Sequence, residues 1–144
     1  MSSNQNLSGE TYGNTSRNSS ILIEISDPQN HGVGTKKYTD YLVKTKTTLP
    51  IFSSKEFSVR RRFSDFEFLK NKLEQNLKIK PPHLPDKAWK RQIPFMKETL
   101  FDEAFLEDRR KALDQFINNV SEHPLVQTEK LWVSFLQDDE FNKN

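Results

Sequence analysis

Alternation of apolar and polar positions begins at Ile21, where Ile21, Ile23 and Ile25 interleave with Leu22, Glu24 and Ser26 in the two-residue period of a β-strand. Asp27-Pro28-Gln29-Asn30-His31-Gly32 is turn chemistry. A second strand is predicted from about Lys37 to Thr47 through Tyr38, Tyr41 and Val43, and Leu49-Pro50 interrupts it. A third strand is predicted from about Glu56 to Arg61, and short links between the three suggest an antiparallel meander. The period then changes. Ser64 and Glu67 have the spacing of a capping box, which predicts a helix opening at Asp65, with Phe66, Leu69, Leu73 and Leu77 along one face. Lys80-Pro81-Pro82-His83-Leu84-Pro85 cannot continue that helix and predicts an extended, polyproline-like crossing. A second long helix is predicted from near Asp102 to about Glu122, with Leu106, Leu113, Phe116, Ile117 and Val120 inward. Beyond Pro124, the residues Leu125, Leu131, Trp132, Phe135 and Leu136 predict short terminal helices packing back on the core. Strands first and helices after is an α+β layout, a three-stranded meander packed against a helical part with a proline-rich crossing between the two long helices.

Met1–Ser20 is rich in Ser, Asn, Thr and Gly and has too few large apolar groups to offset ordering entropy, so a disordered tail is expected, or a short linear binding segment. It lacks the apolar segment of a signal peptide. Residues 21–137 are then one domain and 138–144 a C-terminal tail. The whole chain of 144 residues fits the roughly 100–150 residues of a common domain. No internal repeat is visible. Nowhere do roughly 18 apolar residues run together, so membrane contact is expected to be peripheral. There is no cysteine, which excludes disulfides and thiolate metal sites and fits a reducing compartment. A net charge of only +2 does not advertise a nucleic-acid binder, so basic function must come from local clustering.

Three places concentrate cations. Val59-Arg60-Arg61-Arg62-Phe63 ends a strand where a helix begins, and free N–H groups and the positive dipole end favour an anion there. Strand alternation sets Arg60 and Arg62 on one face and Arg61 with Phe57 and Val59 on the other, but spacing leaves open which arginine meets a ligand. Phe63 is either core or a flat cover for a sugar-like ring. Arg109 falls inside the apolar stripe of its helix, where a guanidinium needs a bound anion, a carboxylate such as Asp65 or Glu67, or a route to solvent. Arg110 lies at the edge of that stripe and can reach solvent. Lys87 follows Pro-x-x-Pro at a position that the prolines stiffen. The same Pro82–Pro85 segment could serve as a protein-recognition ligand, which would make the chain a protein adaptor acting without lipid. From Ala88 to Lys97, large apolar groups mix with cations. Trp89, Ile93, Phe95 and Met96 fit either a loop dipping into lipid headgroups or one packing Trp89 into the core.

Little supports catalysis. His31, His83 and His123 are outside any metal-ligand spacing, only four glycines are present and none builds a phosphate loop, and no nucleophile elbow is visible. A non-enzymatic binding protein with no metal or cofactor is expected. Nothing resembles a dimerising coiled coil, so a monomer is expected.

In this order, three strands, Arg61-Arg62-Phe63-Ser64-Asp65-Phe66, Pro-x-x-Pro-x-Lys and a helix with an internal arginine resemble the phox-homology (PX) domain from Ile21 to about Leu136. Leu49-Pro50-Ile51-Phe52, Val59-Arg60-Arg61-Arg62, Arg91-Gln92-Ile93-Pro94-Phe95 and Gln115-Phe116-Ile117-Asn118 resemble the sorting nexin 3 subgroup of PX-only sorting nexins. The resemblance implies a PX fold and phosphatidylinositol 3-phosphate as ligand. By position, Arg62 would hold the 3-phosphate, and Phe63, where many relatives have tyrosine, would stack under the inositol. Lys87 would approach the 1-phosphate and Arg109 the ring hydroxyls at positions 4 and 5. It further implies the cytosolic face of early or prevacuolar endosomes, and recycling of transmembrane cargo toward the Golgi with retromer.

Overall fold

The computed structural model describes residues 20–84 and 103–144. Three antiparallel strands form one sheet in the order β1 (Ile21–His31), β2 (Tyr38–Thr47), β3 (Glu56–Arg62), the meander expected. The register sets Ile25 opposite Val43 and Val43 opposite Val59, so the alternating apolar residues of all three strands fall on one buried face. Helix α1 (Phe63–Leu77) follows β3 directly, α2 (Glu103–Val120) packs along β1, and α3 (Lys130–Gln137) closes the core after a single 3₁₀ turn at Val126–Thr128. The predicted faces are buried as expected: Phe66, Leu69 and Leu73 on α1, and Leu106, Leu113, Phe116, Ile117 and Val120 on α2. Trp132 of α3 is fully buried, donates Nε1–H to Ser121 Oγ at 2.8 Å and meets the Phe52 ring edge-on.

Two local expectations change. The segment from Asp27 to His31 does not turn. It continues β1 through an irregularity between Ser26 and Gln29, with Asp27 in the left-handed region (φ 51°). The chain reverses at Gly32–Lys37 instead, where a side chain on Gly32 (φ 79°) would stand 2.7 Å from the Lys36 carbonyl. Helix α1 opens two residues early, at Phe63, because Arg62 is still extended (φ −88°, ψ 161°) and the Asp65 carboxylate reaches back to accept its N–H at 2.8 Å. Asp65, rather than the expected Ser64–Glu67 pair, therefore supplies the cap. At the other end Lys78 is left-handed (φ 57°), donates its N–H to the Glu74 carbonyl and ends the helix before the prolines.

An exposed edge of β1 would present unpaired backbone groups. Residues one turn apart on α2 take them up. Asn118 accepts from the Ile23 N–H at 3.3 Å and donates to its carbonyl at 2.8 Å. Asp114 accepts from the Ile25 N–H at 3.0 Å, and Arg110 donates to the Ile25 carbonyl at 2.9 Å. The helix thus replaces a fourth strand and is held in fixed rotation against the sheet.

At the opposite side, Arg61 is only 2% exposed. Its Nε donates to the Phe135 carbonyl at 2.9 Å, Nη1 to those of Arg60 and Asp139, and Nη2 to those of Ser134 and Asp138. Four of these acceptors are carbonyls from the last turn of α3 and the two residues that follow it, where backbone carbonyls run out of helical partners. Phe141, in the segment that the sequence sets apart as a tail, stands 5.4 Å from the same guanidinium and 5.3 Å from the Phe135 ring, and Lys143 pairs with Asp65 at 2.8 Å. Arg61→Ala would strand these carbonyls and is expected to cost about 3–5 kcal/mol of unfolding free energy in urea titrations. Arg61→Lys, which keeps the charge but not the fork of donors, is expected to cost less.

Candidate functional site

The five described arginines separate into two kinds. Arg60 points to the face opposite Arg61, as alternation requires, and is fully engaged there: Nε donates to Asp40 Oδ1 at 2.7 Å, Nη1 to Asp27 Oδ2 at 3.1 Å, and Nη2 to the carbonyls of Asp27 and Asp40. Hydrogen bonds from Gln29 and then from Arg60 hold the Asp27 carboxyl below its ordinary range. Arg61 is spent on α3. Arg110 forms a two-pronged pair with Glu107 at 2.9 and 2.8 Å and binds the Ile25 carbonyl, so the expected reach to solvent becomes a tie to the sheet edge. Hydrogen bonding from Arg110 in turn keeps the Glu107 carboxyl low.

Arg62 and Arg109 differ. Among the described residues no carboxylate or carbonyl binds the Arg62 guanidinium, which is exposed at the end of β3 with its carbon 4.1 Å from the centre of the Tyr38 ring. Arg109 stacks on Phe63 at 3.9 Å and on Phe105 at 4.9 Å, and its buried Nε has no hydrogen-bond partner. Neither carboxylate suggested for it forms an ion pair with it. Asp65 is occupied by Lys143 and the Arg62 N–H, while Glu67 and Tyr41 lie near enough only to favour its charge. Burial is the larger effect and draws the Arg109 guanidinium below its ordinary value. Stacking uses the flat face of a guanidinium and leaves its in-plane N–H donors free for an oxyanion.

Both cations are tied to the point where β3 enters α1. Phe63 follows Arg62 in the chain and carries Arg109 on its ring, so the junction that bears one cation also holds the other, at the first turn of a helix. Phe63 is 8% exposed and belongs to the core, the first of its two sequence readings, while its ring also carries Arg109. Lys87, Trp89, Ile93, Phe95 and Met96 lie outside the described residues. A surface cavity of about 310 Å³ at Leu22, Ile23, Glu24, Lys44 and Lys46 lies on other strands. Its lysines stand in register with Glu24 and Glu56, which makes it a poor anion site.

A family model described as the PX domain matches residues 49–139. Human Sorting nexin-12 is 50% identical over 125 residues, covering 86% of this chain and 77% of that protein. This chain belongs to the PX-domain sorting nexins. Human Sorting nexin-3 is 46% identical over 141 residues, covering 97% of this chain and 85% of the relative. Sorting nexin-3 of Yarrowia lipolytica is 38% identical over 126 residues, 86% of this chain and 78% of that protein. An X-ray structure of a designed CISK-PX domain superposes with a TM-score of 0.65 at 34% identity, covering 81% of this chain and 98% of its own. The mouse SNX19 PX domain shares the fold at a TM-score of 0.53 and 22% identity, over 81% of this chain and 95% of its own. The α+β layout expected from the order of strands and helices, and the PX fold that the resemblance implies, are the fold observed.

Sequence spacing missed two aromatic residues beside these arginines. Tyr38 touches Arg62 across the sheet. Tyr41 is 1% exposed, its hydroxyl has no hydrogen-bond partner, and burial raises the phenol to about 12 against the opposing pull of Arg109. A tyrosine in a strand pattern reads as core, and nothing in the linear order pairs either ring with an arginine. Because an unfolded phenol loses its proton near pH 10, stability is fully present below that pH and is lost as pH rises toward 12. Chemical denaturation at stepped alkaline pH should show a decline between those values that is smaller in Tyr41→Phe.

Proposed function

We propose that this sorting nexin binds phosphatidylinositol 3-phosphate on the cytosolic face of endosomal membranes and, with retromer, recycles transmembrane cargo toward the Golgi. The observation that carries the ligand reading is the pair of arginines stacked on aromatic rings, with donors uncommitted to any described carboxylate. A half-buried cation such as Arg109 is costly without a counter-ion, Arg62 is solvated with its donors available, and a phosphorylated headgroup would supply charge to both. Arg62 takes the 3-phosphate, Phe63 supports the inositol ring, Arg109 reaches the 4- and 5-hydroxyls and Lys87 approaches the 1-phosphate. The α1 N-terminus adds positive potential. No bond is made or broken in this function; it is recognition by charge and shape.

One headgroup binds modestly, and apolar contact with the bilayer adds to it. Trp89, Ile93, Phe95 and Met96, set among Lys90, Arg91 and Lys97, have the composition for that contact. No helix among the described residues is long and apolar enough to cross a membrane.

Arg62→Ala removes two charge-assisted hydrogen bonds and is expected to weaken binding to phosphatidylinositol 3-phosphate vesicles by about 100-fold or more, with an unchanged thermal melt. Normal vesicle binding by the folded variant would falsify the pocket. A second comparison isolates the loop. Trp89→Ser with Phe95→Ser is expected to weaken vesicle binding by roughly 10-fold while leaving affinity for soluble inositol 1,3-bisphosphate intact. Equal losses on both ligands would remove the loop from the membrane contact.

A further inference from the structure

We propose that Tyr38 is a positioning residue for Arg62, holding its guanidinium with the donor edge turned to the phosphate. The inference rests on the phosphoinositide reading above and adds to it a residue outside the headgroup contacts. Tyr38 opens β2 and lies opposite His31 in the register, while Arg62 lies opposite Asp40. Side chains at 38 and 40 share a face, so Arg62 has two neighbours on β2, one a carboxylate and one a ring. A carboxylate directly across the strand would ordinarily capture an arginine. Asp40 does not, because it is already bound by Arg60 Nε at 2.7 Å and approached by His31 Nε2 at 2.9 Å. Arg62 instead settles over Tyr38 at 4.1 Å, and His31 stacks against the same ring at 5.0 Å with an interplanar angle of 29°.

This arrangement has a consequence for binding. A free arginine at a strand end samples many rotamers and must be ordered when the phosphate arrives. A guanidinium already stacked by its face keeps its N–H fork available and loses less freedom on binding. Tyr38 is therefore coupled to the ligand only through Arg62, and a change at Tyr38 should matter only when residue 62 is an arginine.

The test uses the full chain on phosphatidylcholine vesicles containing phosphatidylinositol 3-phosphate, with 4-phosphate vesicles as the second arm and thermal melts as the check on folding. Tyr38→Leu is expected to weaken 3-phosphate binding by about 5-fold and to reduce discrimination between the two isomers, while Tyr38→Phe keeps affinity within about 2-fold of the unaltered chain. In an Arg62→Lys background, Tyr38→Leu is expected to cost less than about 2-fold, because an ammonium has no face for the ring to orient. Unchanged binding by folded Tyr38→Leu, or the same loss in both backgrounds, overturns the inference and leaves the lipid reading standing. Failure of the unaltered chain to bind 3-phosphate vesicles overturns both. If Tyr38→Leu does not fold, the Arg62 Nε–H resonance of the unaltered chain, assigned by its loss in Arg62→Lys, decides. A ring-current shift that persists in Tyr38→Phe supports the contact, and its absence overturns it.

Discussion

The buried Arg61 guanidinium is the interaction on which the remainder of the domain is organised. A strand residue facing the core would ordinarily be apolar, and a charge there needs every donor answered. Arg61 meets that need with backbone carbonyls from the end of α3 and the segment beyond it, where the helical ladder stops. Sheet and terminal helix thereby satisfy each other's polar groups. Because Arg61 and Arg62 are neighbours on opposite faces, anchoring one fixes where the other emerges.

The opposite side of the sheet is anchored in a different way. Arg110, Asp114 and Asn118 bind the open edge of β1, and each bond restricts the rotation of α2 about its axis. Arg109 is adjacent to Arg110 on that helix, so the side chains that cover the sheet edge also direct Arg109 inward, onto Phe63. The site therefore stands between two rigid supports, one on α3 and one on β1.

Arginine does three jobs here, and its surroundings select among them. With carbonyls around it, it caps a helix. With carboxylates around it, as for Arg60 and Arg110, it stitches the surface. With aromatic faces beside it and no carboxylate partner among the described residues, as for Arg62 and Arg109, it stacks by its flat face and leaves its in-plane donors open. Asp40 is central to this sorting. Engaged by Arg60 and His31, it does not pair with Arg62, although Arg62 is its direct partner in the register.

By itself, the linear order of residues determined the elements, the buried faces and the inward direction of Arg61, because strand and helix periods are local properties of the chain. It also placed Arg109 within an apolar stripe, and so marked a charge that required an explanation. The turn at Asp27 and the helix cap at Ser64 were misread for a related reason: turn and cap chemistry permits several geometries, and the neighbouring strand chose among them. Which outward arginine has no carboxylate partner among the described residues, and which tyrosine ring it meets, was decided only by tertiary structure. Both depend on cross-strand register, which brings Asp40, Tyr38 and Arg62 together from positions more than twenty residues apart.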